Sequence, residues 1–332
     1  MSNPLLQVND LVKHYPVGRT LSGRPKSVVH AVDGLSFHVD RGETLSLVGE
    51  SGCGKSTVGR AILRLVDITM GQIVLDGRRI DDISQASLHP VRRRIQVVFQ
   101  DPFSSLNPRM RVRDILAEPI RNFRLATGQD LERRLGELMD MVQLPRDSLG
   151  RLPHEFSGGQ RQRIGIARAL AAKPDLIICD EAVSALDVSV KAQVVNLLQD
   201  LQRDLGLALL FISHDLAIVE HMTQRIAVMY LGKIVEIGER RQIFGDPRHP
   251  YTVALMSALP TPDPETRRRR VTLVGDVPSP IDPPPGCRFH GRCPLAGETC
   301  RRIEPDLRQI APGHWAACHL DDISAMTRDA TV

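Results

Sequence analysis

The chain of 332 residues contains no apolar run near the ~20 residues that cross a bilayer, so no membrane-spanning helix is expected. Its start, MSNPLLQVND, lacks the basic and apolar stretches of a secretion signal, and a cytoplasmic chain that is soluble on its own is expected. Charge of one sign is also missing. The net value is +4 at pH 7, which speaks against a nucleic-acid partner, and the basic run Arg267–Arg270 reads as a solvated linker. Six cysteines are too few and too unevenly placed for a disulfide scaffold, yet four of them fall in the last fifth. What remains is an ordinary globular composition, 42% hydrophobic and 25% charged, long enough for one large domain and a smaller one.

The most informative stretch is Thr44–Thr57, TLSLVGESGCGKST. A short β-prone run breaks at Gly49, Gly52 and Gly54 before an amphipathic segment from Lys55 to about Leu65, which reads as strand, loop, helix. Gly49-x-x-x-x-Gly54-Lys55-Ser56 fits a phosphate-binding loop, whose glycines let backbone N–H groups curl around phosphate oxygens. Lys55 would reach the β and γ phosphates, Ser56 would ligate Mg²⁺, and the helix would turn its positive end toward the same anion.

Leu6–Tyr15 reads as a first strand, residues 16–27 as an exposed loop, and Val28–Val39 as a strand of an antiparallel layer. Gly71–Leu75, with its turn at Asp76-Gly77, and Ile95–Phe99 read as further strands. From Pro102 to about Ala172 the pattern is helical, which predicts an inserted helical subdomain. Its last helix starts at Ser157-Gly158-Gly159-Gln160. Ser157 is a good cap, but two glycines straight after it are a poor helix start. They make sense if an anion approaches the backbone; taken alone, such a start is an ordinary turn.

Leu176–Cys179 is an apolar strand ending in Asp180 and Glu181. Beside a phosphate loop, the first acid would hold Mg²⁺ and the second would polarise water. Ser184-Ala185-Leu186-Asp187 follows, then a helix closed by Gly206, then a buried strand that ends at His214. In open α/β sheets ligands bind at that strand edge.

Together these motifs resemble the ATP-binding subunit of an ABC transporter over roughly residues 5–260. The resemblance implies an α/β P-loop ATPase fold with a RecA-like parallel core, an antiparallel β layer and an inserted helical subdomain at about 102–172. It implies ATP and Mg²⁺ as cofactors, held by Gly49, Glu50, Ser51, Gly52, Cys53, Gly54, Lys55, Ser56 and Thr57. Tyr15 would stack on adenine. Gln100 and Asp180 would join Ser56 at Mg²⁺, Glu181 would act as base, and His214 would hold the γ-phosphate. The signature motif Ser157–Gln160, with Phe156 in place of the usual leucine, would meet ATP held by a second subunit, and Ser184–Asp187 would form the D-loop. The wording around Gly49–Gly54, Phe99–Arg109 and Ser184–Ser189 is similar to the second of the two ATPases of bacterial dipeptide and oligopeptide importers. That implies a homologous ATPase partner, two membrane permeases, an extracytoplasmic solute-binding protein, and a peripheral place on the cytoplasmic face of the inner membrane. Nickel or glutathione as cargo, a soluble ABC ATPase, and a non-hydrolysing regulatory module are the alternatives.

Beyond Pro260 prolines accumulate, and Cys287, Cys293, Cys300 and Cys318 follow in a predicted 261–332 tail. Four thiols in a reducing compartment argue for a metal or cluster rather than disulfides. The tail resembles the C-terminal region of peptide-importer ATPases, which implies a [4Fe–4S] cluster on these cysteines; zinc, with His290, His314 and His319 nearby, is the alternative. Cys53 and Cys179 read as small packing residues.

Overall fold

The computed structural model describes residues 3–19, 25–101, 103–259, 271–323 and 326. Pro102, where the helical stretch was expected to begin, and the linker run Arg267–Arg270 lie outside the described residues. In chain order the elements are β1 (Leu6–Arg19), β2 (Pro25–Val39), β3 (Thr44–Val48), α1 (Lys55–Ile62), β4 (Met70–Leu75), β5 (Arg78–Arg79), α2 (His89–Arg94) and β6 (Ile95–Val98). Next come α3 (Val112–Asn122), α4 (Gly128–Met141), α5 (Gly158–Ala171), β7 (Leu176–Asp180), α6 (Val188–Leu205), β8 (Ala208–Ser213) and α7 (Leu216–Met222). The chain then forms β9 (Arg225–Tyr230), β10 (Lys233–Glu239), α8 (Arg240–Gly245), α9 (Pro250–Ser257), α10 (Glu298–Arg302), β11 (Arg308–Ala311) and β12 (His314–Ala316).

These elements fall into two compact units. The first gathers Met1–Leu6, Val39–Thr44 and Val74–Ser213; the second gathers Gln7–His38, Leu45–Ile73 and His214–Val332.

In the first unit β6, β7 and β8 run parallel, with Ile178 opposite both Val97 and Leu210. β7 and β8 are apolar on both faces and buried, as parallel strands covered by helices must be. Helices α3, α4 and α5 pack on one another, with Leu116, Ile120, Leu135, Leu138 and Ile164 on them fully buried, and lie in the stretch expected to be helical. α6 ends where Gly206 takes the left-handed conformation (φ 65°) and returns its N–H to the Gln202 carbonyl.

In the second unit β3 pairs in parallel with β9 (Ser46 opposite Ile226), and β10 pairs antiparallel with β9. The tail then continues this sheet: β12 lies antiparallel to β10 (Glu236 opposite Ala316), and β11 antiparallel to β12. In a second sheet β1 lies between β2 and β4. Here the expected 16–27 loop is corrected, because β1 continues to Arg19 and β2 begins at Pro25; residues 20–24 are outside the described ones. Pro16, Val17 and Gly18 are exposed, so this part of β1 carries no burial pattern for a sequence to display.

Candidate functional site

The phosphate loop, Tyr15 and His214 belong to the second unit; Gln100, Ser157–Gln160, Asp180, Glu181 and Ser184–Asp187 belong to the first.

In the loop, two glycines are fixed by space as much as by φ. A Cβ on Gly49 (φ 152°) would lie 2.1 Å from the Met229 carbonyl oxygen, and one on Gly54 (φ 108°) 2.0 Å from that of Ala31. Gly52 (φ 81°) faces open space. Gly54 caps α1 without a side chain, and the first turn holds no acidic residue, so the helix start presents N–H groups and a positive dipole end. The almost fully buried Lys55 curls back, its Nζ donating to the Gly49 carbonyl (2.8 Å) and the Glu50 carbonyl (2.9 Å). A cradle that a Cβ would fill, with an ammonium inside it, fits a nucleotide's phosphates. The loop is tied down from outside as well: the Glu50 N–H donates to Tyr251 Oη (2.9 Å), and the Gly232 N–H donates to the Cys53 carbonyl (2.9 Å). Burial raises the Cys53 thiol and pushes Cys179 up to about 12, so both stay protonated packing groups. Tyr15 stands half-exposed on β1 with Lys13 Nζ 4.6 Å from its ring centre, and His214 is exposed between β8 and α7.

In the first unit, Asp180 ends β7, and Glu181 takes a left-handed backbone (φ 50°). Non-glycine residues rarely hold that conformation. Here the Glu181 N–H donates to the Ile212 carbonyl (2.9 Å) and Ser184 Oγ donates to the Glu181 carbonyl (2.9 Å). The turn after β7 is therefore built around this residue. Gln100 is exposed just beyond β6, and the buried Gln162 of α5 holds the preceding residue by donating to the Phe99 carbonyl (3.2 Å). Ser157 and Gln160 form a reciprocal capping box on α5: Ser157 Oγ accepts from the Gln160 N–H (3.3 Å), and Gln160 Oε1 accepts from the Ser157 N–H (3.0 Å). This box offsets the two glycines that made the helix start look weak. Gly159 has a packing reason too, since a Cβ there would meet Val190 Cγ1 at 2.3 Å. Ala185 and Asp187 of the following motif are exposed, while Ser184 and Leu186 are half-buried.

The tail cysteines form a second candidate centre. Burial raises the Cys287 and Cys293 thiols to about 11, and Cys318 is raised for the same reason. Each thiol also lies within electrostatic range of others in the set, and Cys300 influences all three. Backbone N–H groups of Phe289 and His290, Leu295 and Leu320 point to Cys287, Cys293 and Cys318 respectively. Such donors favour thiolates and metal ligation. Zinc needs ligand atoms about 3.8 Å apart, given ~2.3 Å Zn–S bonds at tetrahedral angles. Among the described residues no three of these thiols close to within 4.8 Å of one another. Nor do the histidines supply a zinc site with them. His290 Nδ1 meets the Cys287 carbonyl, His319 Nε2 the Ile303 carbonyl, and His314 Nε2 the carboxylate of Glu236 (2.7 Å). His14, His30 and Asp33 do meet the distance limit, but Asp33 is already paired with Arg288.

The sequence reading missed Tyr251, Glu236 and the tail arginines. Fully buried Glu236 of β10 accepts from the N–H groups of Arg248 (2.7 Å) and His249 (2.8 Å) as well as facing His314. Arg292 donates from Nη1 to Glu50 Oε2 (2.8 Å) and from Nη2 to Glu50 Oε1 (3.1 Å). The apolar run Arg225–Tyr230 was a signal for β9; nothing local marked Arg292 or Glu236.

Two family models match the chain, ABC transporter over residues 32–184 and the oligopeptide/dipeptide transporter C-terminal region over residues 235–300. The chain is 52% identical over 320 residues to a Sinorhizobium fredii protein named "Probable peptide ABC transporter ATP-binding protein y4tS", covering 96% of this chain and 91% of that one. It is 49% identical over 319 residues to the oligopeptide transport ATP-binding protein AppF of Bacillus subtilis, covering 95% and 97%. Among solved structures, a dimeric ATP-binding cassette in a post-hydrolysis state with ADP and phosphate matches with a TM-score of 0.63 at 28% identity, over 71% of this chain and 99% of that one. A cassette from Clostridium perfringens that is part of an ABC transporter complex matches with 0.63 at 25% identity, over 74% and 92%.

Proposed function

Because this chain belongs to the ATP-binding proteins of the ABC transporter family and is an ATPase of that fold, we propose that it powers uptake of di- and oligopeptides across a bacterial plasma membrane. One observation carries the cargo class: the ABC match and the oligopeptide/dipeptide C-terminal match lie in one chain, and relatives named for peptide transport resemble it over nearly its whole length.

The proposed division runs from a nucleotide-binding domain at 1–260 to a linker and cysteine tail at 261–332. Lys55 and the amides of Gly49–Thr57 bind the phosphates, Ser56, Asp180 and Gln100 serve the Mg²⁺, and Tyr15 carries the adenine. Glu181 takes the proton of the attacking water, and His214 orients the γ-phosphate. Ser157–Gln160 and Ser184–Asp187 act toward ATP held by a second cassette, which we take to be a homologous subunit. Permeases anchor the pair at the cytoplasmic face, and a solute-binding protein delivers the peptide. Cys287, Cys293, Cys300 and Cys318 hold a [4Fe–4S] cluster, which when bound supplies a redox-sensitive tie among four points of the tail. Anaerobic purification that yields a colourless chain without iron would refute that assignment.

Mild-detergent affinity purification of the tagged chain from its native membranes, followed by mass spectrometry, tests the transport reading. Two permeases, a second ATPase and a solute-binding protein are expected; ribosomal or DNA-bound partners in a soluble fraction would overturn it.

A further inference from the structure

The turn that carries Cys287 and Cys293 is built into the same unit as the phosphate loop. Phe289, fully buried, packs edge-on against Tyr230 (ring centres 5.3 Å apart) and at a tilt against Tyr251 (5.4 Å). Arg288, nearly buried, donates to the Leu231 carbonyl and pairs with Asp33. Arg292 makes the forked pair with Glu50 described above, its guanidinium carbon 5.9 Å from the centre of the Tyr230 ring. Its side chain is only 10% exposed and that of Glu50 28%, so the pair is shielded from the screening that weakens surface ion pairs.

Glu50 is the second residue of the phosphate loop, and three contacts converge on it. Arg292 holds its carboxylate at both oxygens, Tyr251 Oη accepts from its N–H, and its carbonyl accepts from Lys55 Nζ. The last contact matters most. Lys55 is the residue expected to meet the β and γ phosphates, so whatever fixes Glu50 also fixes the cation's resting place. A two-toothed guanidinium grip sets orientation as well as charge, which a single-point contact does not.

We propose that Arg292 is a positioning residue for nucleotide binding: through Glu50 it holds the phosphate loop in its binding shape and couples that loop to the cysteine-bearing turn. The inference rests on the phosphate-binding role of residues 49–57. Coupling between sites is reciprocal, so nucleotide must also steady the turn.

The test uses the full-length chain and its assembled transporter. Arg292→Gln should raise KM for ATP about tenfold, within the usual span of coupling between sites, with kcat changed less than about twofold. Glu50→Gln should do the same, and the double variant should be no worse than either single one, because both remove one interaction. Hydrogen exchange should show Mg-ATP slowing the amides of residues 287–293 in the wild type and not in Arg292→Gln. If Arg292→Gln folds poorly, Glu50→Gln carries both readouts with the tail intact. Unchanged KM in the variants, additive losses, or no ATP protection of the turn in the wild type would overturn the proposal alone. A wild-type chain that binds no Mg-ATP would overturn the nucleotide reading with it.

Discussion

A carboxylate can accept a proton from water and an amide cannot, although the two have nearly the same shape. Glu181→Gln should therefore bind Mg-ATP within about threefold of wild type while turnover falls by about 10²–10⁴, the usual contribution of a general base. Parallel nucleotide-binding and single-turnover assays check this; near wild-type hydrolysis would remove Glu181 from the mechanism. The glycines of the phosphate loop allow a sharper comparison. Gly54→Ala would place a Cβ against the Ala31 carbonyl at 2.0 Å, backbone against side chain with nothing flexible to yield. Gly52→Ala meets open space and bears only the left-handed strain of about 1–2 kcal/mol. Nucleotide affinity should be lost in the first and weakened in the second; equal effects would mean that backbone freedom, not space, is what the loop needs.

At the scale of elements, α9 is pinned by a neutral histidine. His249 Nδ1 accepts from the Tyr251 N–H (3.1 Å), an arrangement that protonation of that nitrogen abolishes. Burial lowers its pKa to about 3, against an ordinary value near 6.5. The folded pKa lies below the unfolded one, so the contribution is fully present above about pH 6.5 and is lost as pH falls toward 3, at up to ~1.4 kcal/mol per pH unit. Urea midpoints between pH 7 and 4 should fall more steeply for the wild type than for His249→Asn; parallel curves would contradict the assignment. The elements differ in how far the sequence displayed them. β7 and β8 announced themselves by unbroken apolar runs, and Gly49–Thr57 by residue types that phosphate chemistry demands at fixed local spacing. Ser157 is legible as a cap, but the reciprocal bond that Gln160 returns is seen only in the structure, and it makes α5 better anchored than its two glycines suggest. β12 was not legible at all, because its three residues are a strand only through pairing with distant β10. The Glu50–Arg292 pair spans 242 positions, and no local pattern can report such a contact.

For the molecule as a whole, no helix among the described residues is long and apolar enough to cross a membrane, and the proposed transport runs through permease partners. In the proposed function the chain contributes the free energy of ATP, and Lys55 is the cation assigned to the phosphates. The direct measurement is uptake of a labelled oligopeptide into proteoliposomes that carry the assembled transporter, with ATP supplied on the side of this chain. Wild-type complexes should accumulate peptide only with hydrolysable ATP, and Lys55→Ala or Glu181→Gln in this subunit should cut uptake by at least about tenfold. Peptide accumulation that proceeds unchanged with either variant would show that this chain does not power the transport.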